Sequence, residues 1–195
     1  MQSEFKPERK HCSIVMRGSF NPAMFQPEWF CRNGILSVEE VDYARSQENS
    51  PIIITPQVSM FRTSQLEVKI EMDRFEVISD KEPHLIIKDF ITKTLDNIGN
   101  YQITAYGINF AAHFHIEDKH VYQLIGDRLA PKKYWEKLLG DEVSGDERKS
   151  GLLTLDMKKE RETGYTLVRF QPSFQIQPGV FISCNEHFNI DDEDS

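Results

Sequence analysis

The alternation of apolar and charged residues over 66–72, LEVKIEM, is the feature that most constrains how this chain can fold. Successive side chains of a strand point to opposite faces, so this spacing predicts a strand with one buried face and one wet face. Phe75 and Val77 continue the alternation in the opposite phase. The change of phase predicts a bulge or a tight bend across Asp73 and Arg74.

Helical spacing replaces this alternation in the middle of the chain. Apolar residues recur at intervals of three and four over 84–99 and again after Asp118, a helix-capping residue. Ser37 followed by Glu40 forms a capping-box pattern, and Pro27 suits a first helical position, so two short helices are predicted near the N-terminus. Strand patterns dominate both ends of the chain. This order favours an α+β fold, a largely antiparallel sheet with helices packed on one face.

The later helices are expected to turn their apolar side chains towards the core. The helix after Asp118 has one apolar face, formed by Val121, Leu124, Ile125 and Leu129. The next segment, PKKYWEKLLG, predicts a further short helix whose inward-facing residues are Trp135, Leu138 and Leu139.

Length and composition predict one folded domain. A chain of 195 residues with 39% hydrophobic and 28% charged residues has an ordinary globular balance. We expect a flexible N-terminus over 1–11, a single α+β domain over 12–190 and an acidic tail over 191–195. The three cysteines are scattered without a C-x-x-C pair, which predicts free thiols. No secretory leader and no apolar run of about 18 residues occurs, so a cytoplasmic location without a membrane is expected.

Charge and motifs exclude several function classes. The formal net charge is −8, and the DDED run at 191–194 supplies half of it, which disfavours binding to the phosphate backbone of nucleic acid. Gly140 and Gly145 have the spacing of a phosphate-binding loop, but an acidic pair follows where Lys and Ser or Thr are required. No G-x-G-x-x-G, G-x-S-x-G or H-E-x-x-H motif occurs. No organic cofactor is therefore expected.

The stretch GINFAAHFHIEDKH, 107–120, carries the residue types best suited to chemistry. On a strand His113, His115 and Glu117 project from one face, and His120 follows closely. Two imidazoles with one carboxylate would suit a divalent metal with an open coordination position. The alternative is that His113 and His115 lie on the solvent face opposite Phe114, with His120 in the first turn of a helix.

The same stretch resembles the first metal motif of the cupins, which has two histidines one residue apart, then a glutamate and a glycine. Here His113 and His115 precede Gly126, and the glutamate position falls on Lys119 or His120. The resemblance implies a metal site in a jelly roll. No second cupin motif follows, and the helical patterns do not fit an all-β fold. We therefore retain the α+β prediction.

The aromatic residues near the N-terminus have two interpretations. Phe25, Trp29 and Phe30 either form a patch that binds a partner protein or cover the edge of the core. The segments NPAMFQPEWF, ITAYGINF and RLAPKKYWEKLL together are similar to an uncharacterised, sporadically distributed bacterial family with no assigned activity. That resemblance implies one domain and assigns no catalytic residues.

Three functions remain open from the sequence. The preferred prediction is a non-catalytic interaction or assembly module of a bacterial cytosolic protein, which binds a protein partner or associates with itself. The second is a metal-dependent hydrolase or oxygenase that uses the histidine strand. The third is a small-ligand binder with a cleft between sheet and helices lined by Tyr101, Tyr106 and Asn109.

Overall fold

A computed structural model describes residues 6–46, 50–99, 102–139 and 151–190. It confirms an α+β fold built on a large antiparallel sheet. The strands are β1 Arg9–Gly18, β2 Ile53–Ile54, β3 Val58–Arg62, β4 Glu67–Glu71, β5 Arg74–Ser79, β6 Ile103–His115, β7 Leu155–Arg161, β8 Gly164–Pro172 and β9 Gly179–Asn189. The α-helices are α1 Pro27–Arg32, α2 Val38–Ser46, α3 Leu85–Ile98, α4 Lys119–Leu129 and α5 Glu136–Leu139.

The nine strands lie in the order β2-β3-β4-β5-β1-β6-β9-β8-β7. Strands β4 and β5 form the hairpin whose bend the change of phase predicted, and Ile70 pairs with Phe75 across it. Strand β1 pairs antiparallel with the other side of β5, from Cys12 opposite Ser79 to Arg17 opposite Arg74. The change of phase therefore predicted the bend between β4 and β5, and the pairing partners come from the structure.

The described chain divides into two compact units. Among the described residues, the first unit comprises 6–10, 111–139, 151–159 and 167–184, and the second comprises 11–46, 50–99, 102–110, 160–166 and 185–190. Strand β1 begins at Arg9 and so includes three residues that the sequence assigned to a flexible N-terminus. The acidic tail over 191–195 lies outside the described residues, and the single domain over 12–190 stays a prediction.

The core of the second unit is built from aromatic rings. Phe30 of α1 contacts Phe61 of β3 and Phe90 of α3, with ring centroids 5.6 and 4.9 Å apart. Phe25 contacts Phe75 of β5 edge to face at 5.4 Å. The helical spacing predicted for α3 is satisfied, because Ile87 and its neighbours at helical intervals are buried in the same cluster. Packing of one amphipathic face supplies most of the stability of such a helix.

Helix α4 corrects a prediction. Asp118 caps it as expected, since its carboxylate accepts hydrogen bonds from the backbone N–H groups of His120 and Val121. However, none of its residues is buried, and Leu124 and Leu129 are 37% and 41% exposed. Because α4 belongs to the first unit, the prediction that all helices share one face of the sheet stays a prediction. Of the helices that the structure describes, none has the length and apolar character required to cross a membrane.

Candidate functional site

His113 lies near the C-terminal end of β6 and is buried, with 6% of its surface exposed. Its ring packs against Phe181 of β9 with centroids 4.7 Å apart. Its Nδ1 atom lies 2.8 Å from the hydroxyl oxygen of Ser173, which is 2% exposed. The interpretation that placed His113 on the solvent face is therefore wrong, because strand alternation separates two faces without showing which one is covered.

The hydrogen bonds of Ser173 fix the direction of its bond to His113. The Ser173 oxygen accepts from the backbone N–H groups of Gln175 at 3.2 Å and Ile176 at 2.9 Å. A hydroxyl has two acceptor lone pairs and one proton, and both backbone groups can only donate. The Ser173 proton therefore points to His113 Nδ1, which accepts it. We infer a neutral imidazole that carries its own proton on Nε2.

This arrangement bears directly on the predicted metal site. A histidine ligand normally donates a proton from one ring nitrogen while the other nitrogen binds the metal. In the inferred tautomer, the Nδ1 lone pair of His113 is engaged by the Ser173 proton and Nε2 carries the ring proton, which is not the arrangement of a histidine ligand. His115 is more exposed, with Nδ1 3.8 Å from the Glu8 carboxylate. Glu117 and His120 are exposed as well.

The structure does not assemble the predicted ligands into a metal-binding group. Over 6–46, 50–99, 102–139 and 151–190, no group of three or more His, Cys, Asp or Glu side chains is arranged to hold a metal ion. The cupin resemblance and the metal-dependent enzyme stay predictions.

A serine bonded to a histidine also suggests a nucleophile activated by a base. A nucleophile must reach its substrate, whereas Ser173 and His113 are both almost fully enclosed. The two side chains instead hold the connection between β8 and β9, where the backbone N–H of Ser173 donates to Gly179 at 2.9 Å. The geometry supports a structural link across this connection.

The N-terminal aromatic residues also need a correction. Phe25 and Phe30 are 0% exposed, and the half-buried Trp29 packs against both of them. Buried rings cannot present a docking surface, so Phe25 and Phe30 belong to the alternative, a core cluster, whereas partner binding by the half-buried Trp29 stays a prediction. Aromatic content alone did not separate these two interpretations.

An exposed apolar surface begins at the C-terminal end of α4. Tyr134 is 71% exposed, Trp135 48% and Leu138 79%, although the sequence pattern predicted inward-facing positions for Trp135 and Leu138. The side chain of Leu139 lies outside the described residues. We call residues 128–138 the docking segment. It carries four basic residues and one acidic residue. The sequence therefore shows the basic and apolar composition of this segment, and the structure adds that its apolar side chains are exposed.

A cleft of about 330 Å³ lies between α4 and strands β8 and β9 within the first unit. Lys119, Tyr122 and Gln123 contribute from the helix, and Phe170 and Val180 from the strands. Sequence reasoning missed this cleft. The available signal was the spacing of three, four and seven residues that puts Lys119, Tyr122, Gln123 and Gly126 on one helical face.

The cleft differs from the one that the third hypothesis described. Tyr106 stacks on Phe188 with centroids 4.8 Å apart, and the Asn109 amide donates to Ser13 at 3.2 Å. Both residues are thus engaged in packing within the second unit. Tyr101 lies outside the described residues.

Comparison with known proteins assigns no family. No protein-family model matches the chain, and no curated protein matches it. The similarity to an uncharacterised bacterial family stays a prediction.

Proposed function

We propose that this chain is a non-catalytic protein-interaction module whose partner binds the docking segment. The observation that carries the proposal is the exposure of Tyr134, Trp135 and Leu138, three large apolar side chains within five residues. Contiguous exposed apolar surface marks interaction sites in proteins, and Trp and Tyr are enriched in interfaces. The bacterial and cytosolic setting is part of this proposal and rests on the sequence alone.

The sheet edges do not offer a better docking site. Strand β2, at one edge, has only two residues. Strand β7, at the other edge, has seven residues, but its sequence LDMKKER places lysines along an exposed strand. Short edges and edge lysines are devices that prevent strand addition. The proposal therefore depends on side-chain docking and not on an added strand.

Charge identifies the class of partner. Arg128, Lys133 and Lys137 are exposed and form no ion pair with any side chain that the structure describes, although Lys133 lies over the Tyr134 ring at 4.9 Å. A two-fold dimer through this segment would bring like charges together, because both copies would present the same patch. The chain as a whole has a net charge of −8, so this basic segment stands out locally. An acidic amphipathic helix of another protein is the occupant that fits.

Selection from a displayed library of random helical peptides tests this proposal. We expect enrichment of peptides that combine acidic residues with apolar residues at intervals of three and four. Binding should weaken by at least about tenfold, or 1.4 kcal/mol, in the charge-reversal variant Lys133→Glu/Lys137→Glu. Trp135→Ala should weaken it as well, whereas Phe174→Ala, which removes an 84% exposed ring elsewhere, should not.

Several outcomes contradict the proposal. Peptides that bind without acidic residues, or that bind the charge-reversal variant equally well, would remove the argument from charge. Light scattering that shows a dimer lost in Trp135→Ala would identify a second copy as the occupant. Binding to phosphatidylglycerol vesicles that depends on Trp135 would identify a membrane surface instead.

A further inference from the structure

The cleft between α4 and strands β8 and β9 has the size of a small-molecule site. Its volume of about 330 Å³ lies at the lower end of the range for ligand pockets, about 300–1,000 Å³. At about 30 Å³ per water molecule, this space corresponds to about 11 waters. Phe170 and Val180 on the strand side and Ile125 on the helix give it apolar walls. The expected ligand is therefore small and largely apolar.

Three polar side chains at the cleft have unused bonding capacity. Lys119, Tyr122 and Gln123 make no side-chain hydrogen bond or ion pair with the residues that the structure describes. The cleft also contains Lys132, but its ammonium group lies 3.0 Å from the Asp127 carboxylate and forms an ion pair with it. One cation thus remains uncompensated among the described lining residues, beside a hydroxyl and an amide that can orient a bound group.

The N-terminus of α4 does not supply the anion site. The Asp118 carboxylate already accepts from the N–H groups of His120 and Val121, so its own negative charge occupies that position. A ligand anion would meet the Lys119 ammonium group, and the Tyr122 hydroxyl and Gln123 amide would donate the neutral hydrogen bonds. A carboxylate accepts several hydrogen bonds at once and matches these donors.

We propose that this cleft binds a small organic acid with one carboxylate and an apolar tail. The tail lies against Phe170, Val180 and Ile125, and the carboxylate contacts Lys119. This site differs from the docking segment in its ligand and shares with it only Lys132, which is paired with Asp127. A failure of either proposal therefore leaves the other intact.

Octanoate, octanol and octylamine are the probes that test the proposal, used below the concentrations at which they form micelles. Octanoate should bind with a stoichiometry of one by calorimetry and raise the melting temperature as its concentration rises. Octanol should bind at least about tenfold more weakly, the loss expected for one charge-assisted contact. Octylamine should bind least, because its ammonium group meets Lys119.

Matched variants locate the bound octanoate. Lys119→Met should weaken it by about tenfold, whereas Lys133→Met, which removes a lysine outside the cleft, should leave it unchanged. Gly126→Leu should fill the cleft and abolish binding, whereas Gly126→Ala should preserve it, because a Cβ there meets only the Leu152 Cβ at 3.9 Å. If Gly126→Leu fails to fold, the two lysine variants still decide the site.

Three results would overturn the proposal. The first is the absence of saturable octanoate binding to the full chain. The second is equal affinity for octanoate and octanol, which would remove the role of Lys119. The third is unchanged binding in a folded Gly126→Leu variant, which would place the ligand elsewhere.

Discussion

Replacing Ser173 by alanine tests the hydrogen-bond argument on which the assignment of His113 rests. The variant Ser173→Ala removes the proton donated to His113 Nδ1 and the oxygen that accepts from Ile176, and both residues are buried. A buried polar group left without its partner costs about 1–3 kcal/mol. The Gln175 N–H belongs to an exposed residue and can bond to water instead. Since two buried groups lose their partner, we expect a loss of about 2–6 kcal/mol of unfolding free energy.

Urea unfolding followed by circular dichroism measures this loss, provided that the dependence of the free energy on urea is unchanged. Ser64→Ala is the matched control, because Ser64 is exposed and its hydroxyl donates to the Glu40 carboxylate. Surface substitutions of this kind usually change stability by no more than about 0.5 kcal/mol. A similar small loss in Ser173→Ala would show that its hydroxyl does not satisfy buried groups.

A double-mutant cycle separates the Ser173–His113 bond from the other effects. His113→Phe removes the acceptor and keeps a ring against Phe181. Replacing both partners leaves neither of the two groups unpaired, so the double variant should lose clearly less free energy than the sum of the single losses. Losses that add to within about 0.5 kcal/mol would refute the bond and the tautomer inferred from it.

Four further predictions follow from burial and geometry. Phe30→Ala should cost about 3–5 kcal/mol in urea unfolding, because Phe30 is 0% exposed and contacts several rings. Gly126→Ala should stabilise the protein by about 0.5–1 kcal/mol, since alanine favours the helix and its Cβ meets only Leu152. Burial raises the pKa of the Cys12 thiol, so mass spectrometry should show it to react with iodoacetamide more slowly in the native than in the urea-unfolded chain. After zinc loading, elemental analysis should find no stoichiometric difference in zinc content between the native chain and His113→Ala, because Ser173 donates to the His113 ring.

Each of these predictions has an opposite result that would count against it. A Phe30→Ala variant of native stability would restore the partner-binding interpretation of the N-terminal aromatic residues. Destabilisation by Gly126→Ala would show that the α4 backbone or the cleft has no room for a methyl group. Equal native and unfolded alkylation rates for Cys12 would contradict its burial, and zinc lost only in His113→Ala would revive the metal site.

Local sequence signals predicted much of the fold because the elements concerned depend on near neighbours. Alternation over 66–72 predicted a strand, and its change of phase predicted a bulge or tight bend, which is the bend of the β4–β5 hairpin, where Ile70 pairs with Phe75 only a few residues away. Helical spacing predicted α3, and four of its apolar residues, Ile87, Phe90, Ile91 and Ile98, are buried, whereas Leu95 is 37% exposed. The Asp118 cap of α4 was also readable, because a cap involves residues two and three positions away.

The candidate sites could not be predicted because they depend on contacts that no local pattern contains. His113 and Ser173 are 60 residues apart in sequence, and only the tertiary structure brings them together. Alternation correctly placed His113 and His115 on one strand, but burial of the first and exposure of the second depend on what lies over each position. The same limit explains Trp135 and Leu138, whose helical spacing implies an apolar face without supplying a surface to cover it.

Helix α4 explains why both proposals fall on one stretch of the chain. A protein helix gains most of its stability from packing an apolar face, as α3 does. Helix α4 has no buried residue, so the described part of the fold leaves its apolar positions only partly covered. One of its faces lines the cleft through Lys119 and Tyr122, and its C-terminal end leads into the docking segment. Because the two surfaces share only Lys132 and differ in the chemistry of their occupants, Lys119→Met and Lys133→Glu/Lys137→Glu should each impair only one binding activity.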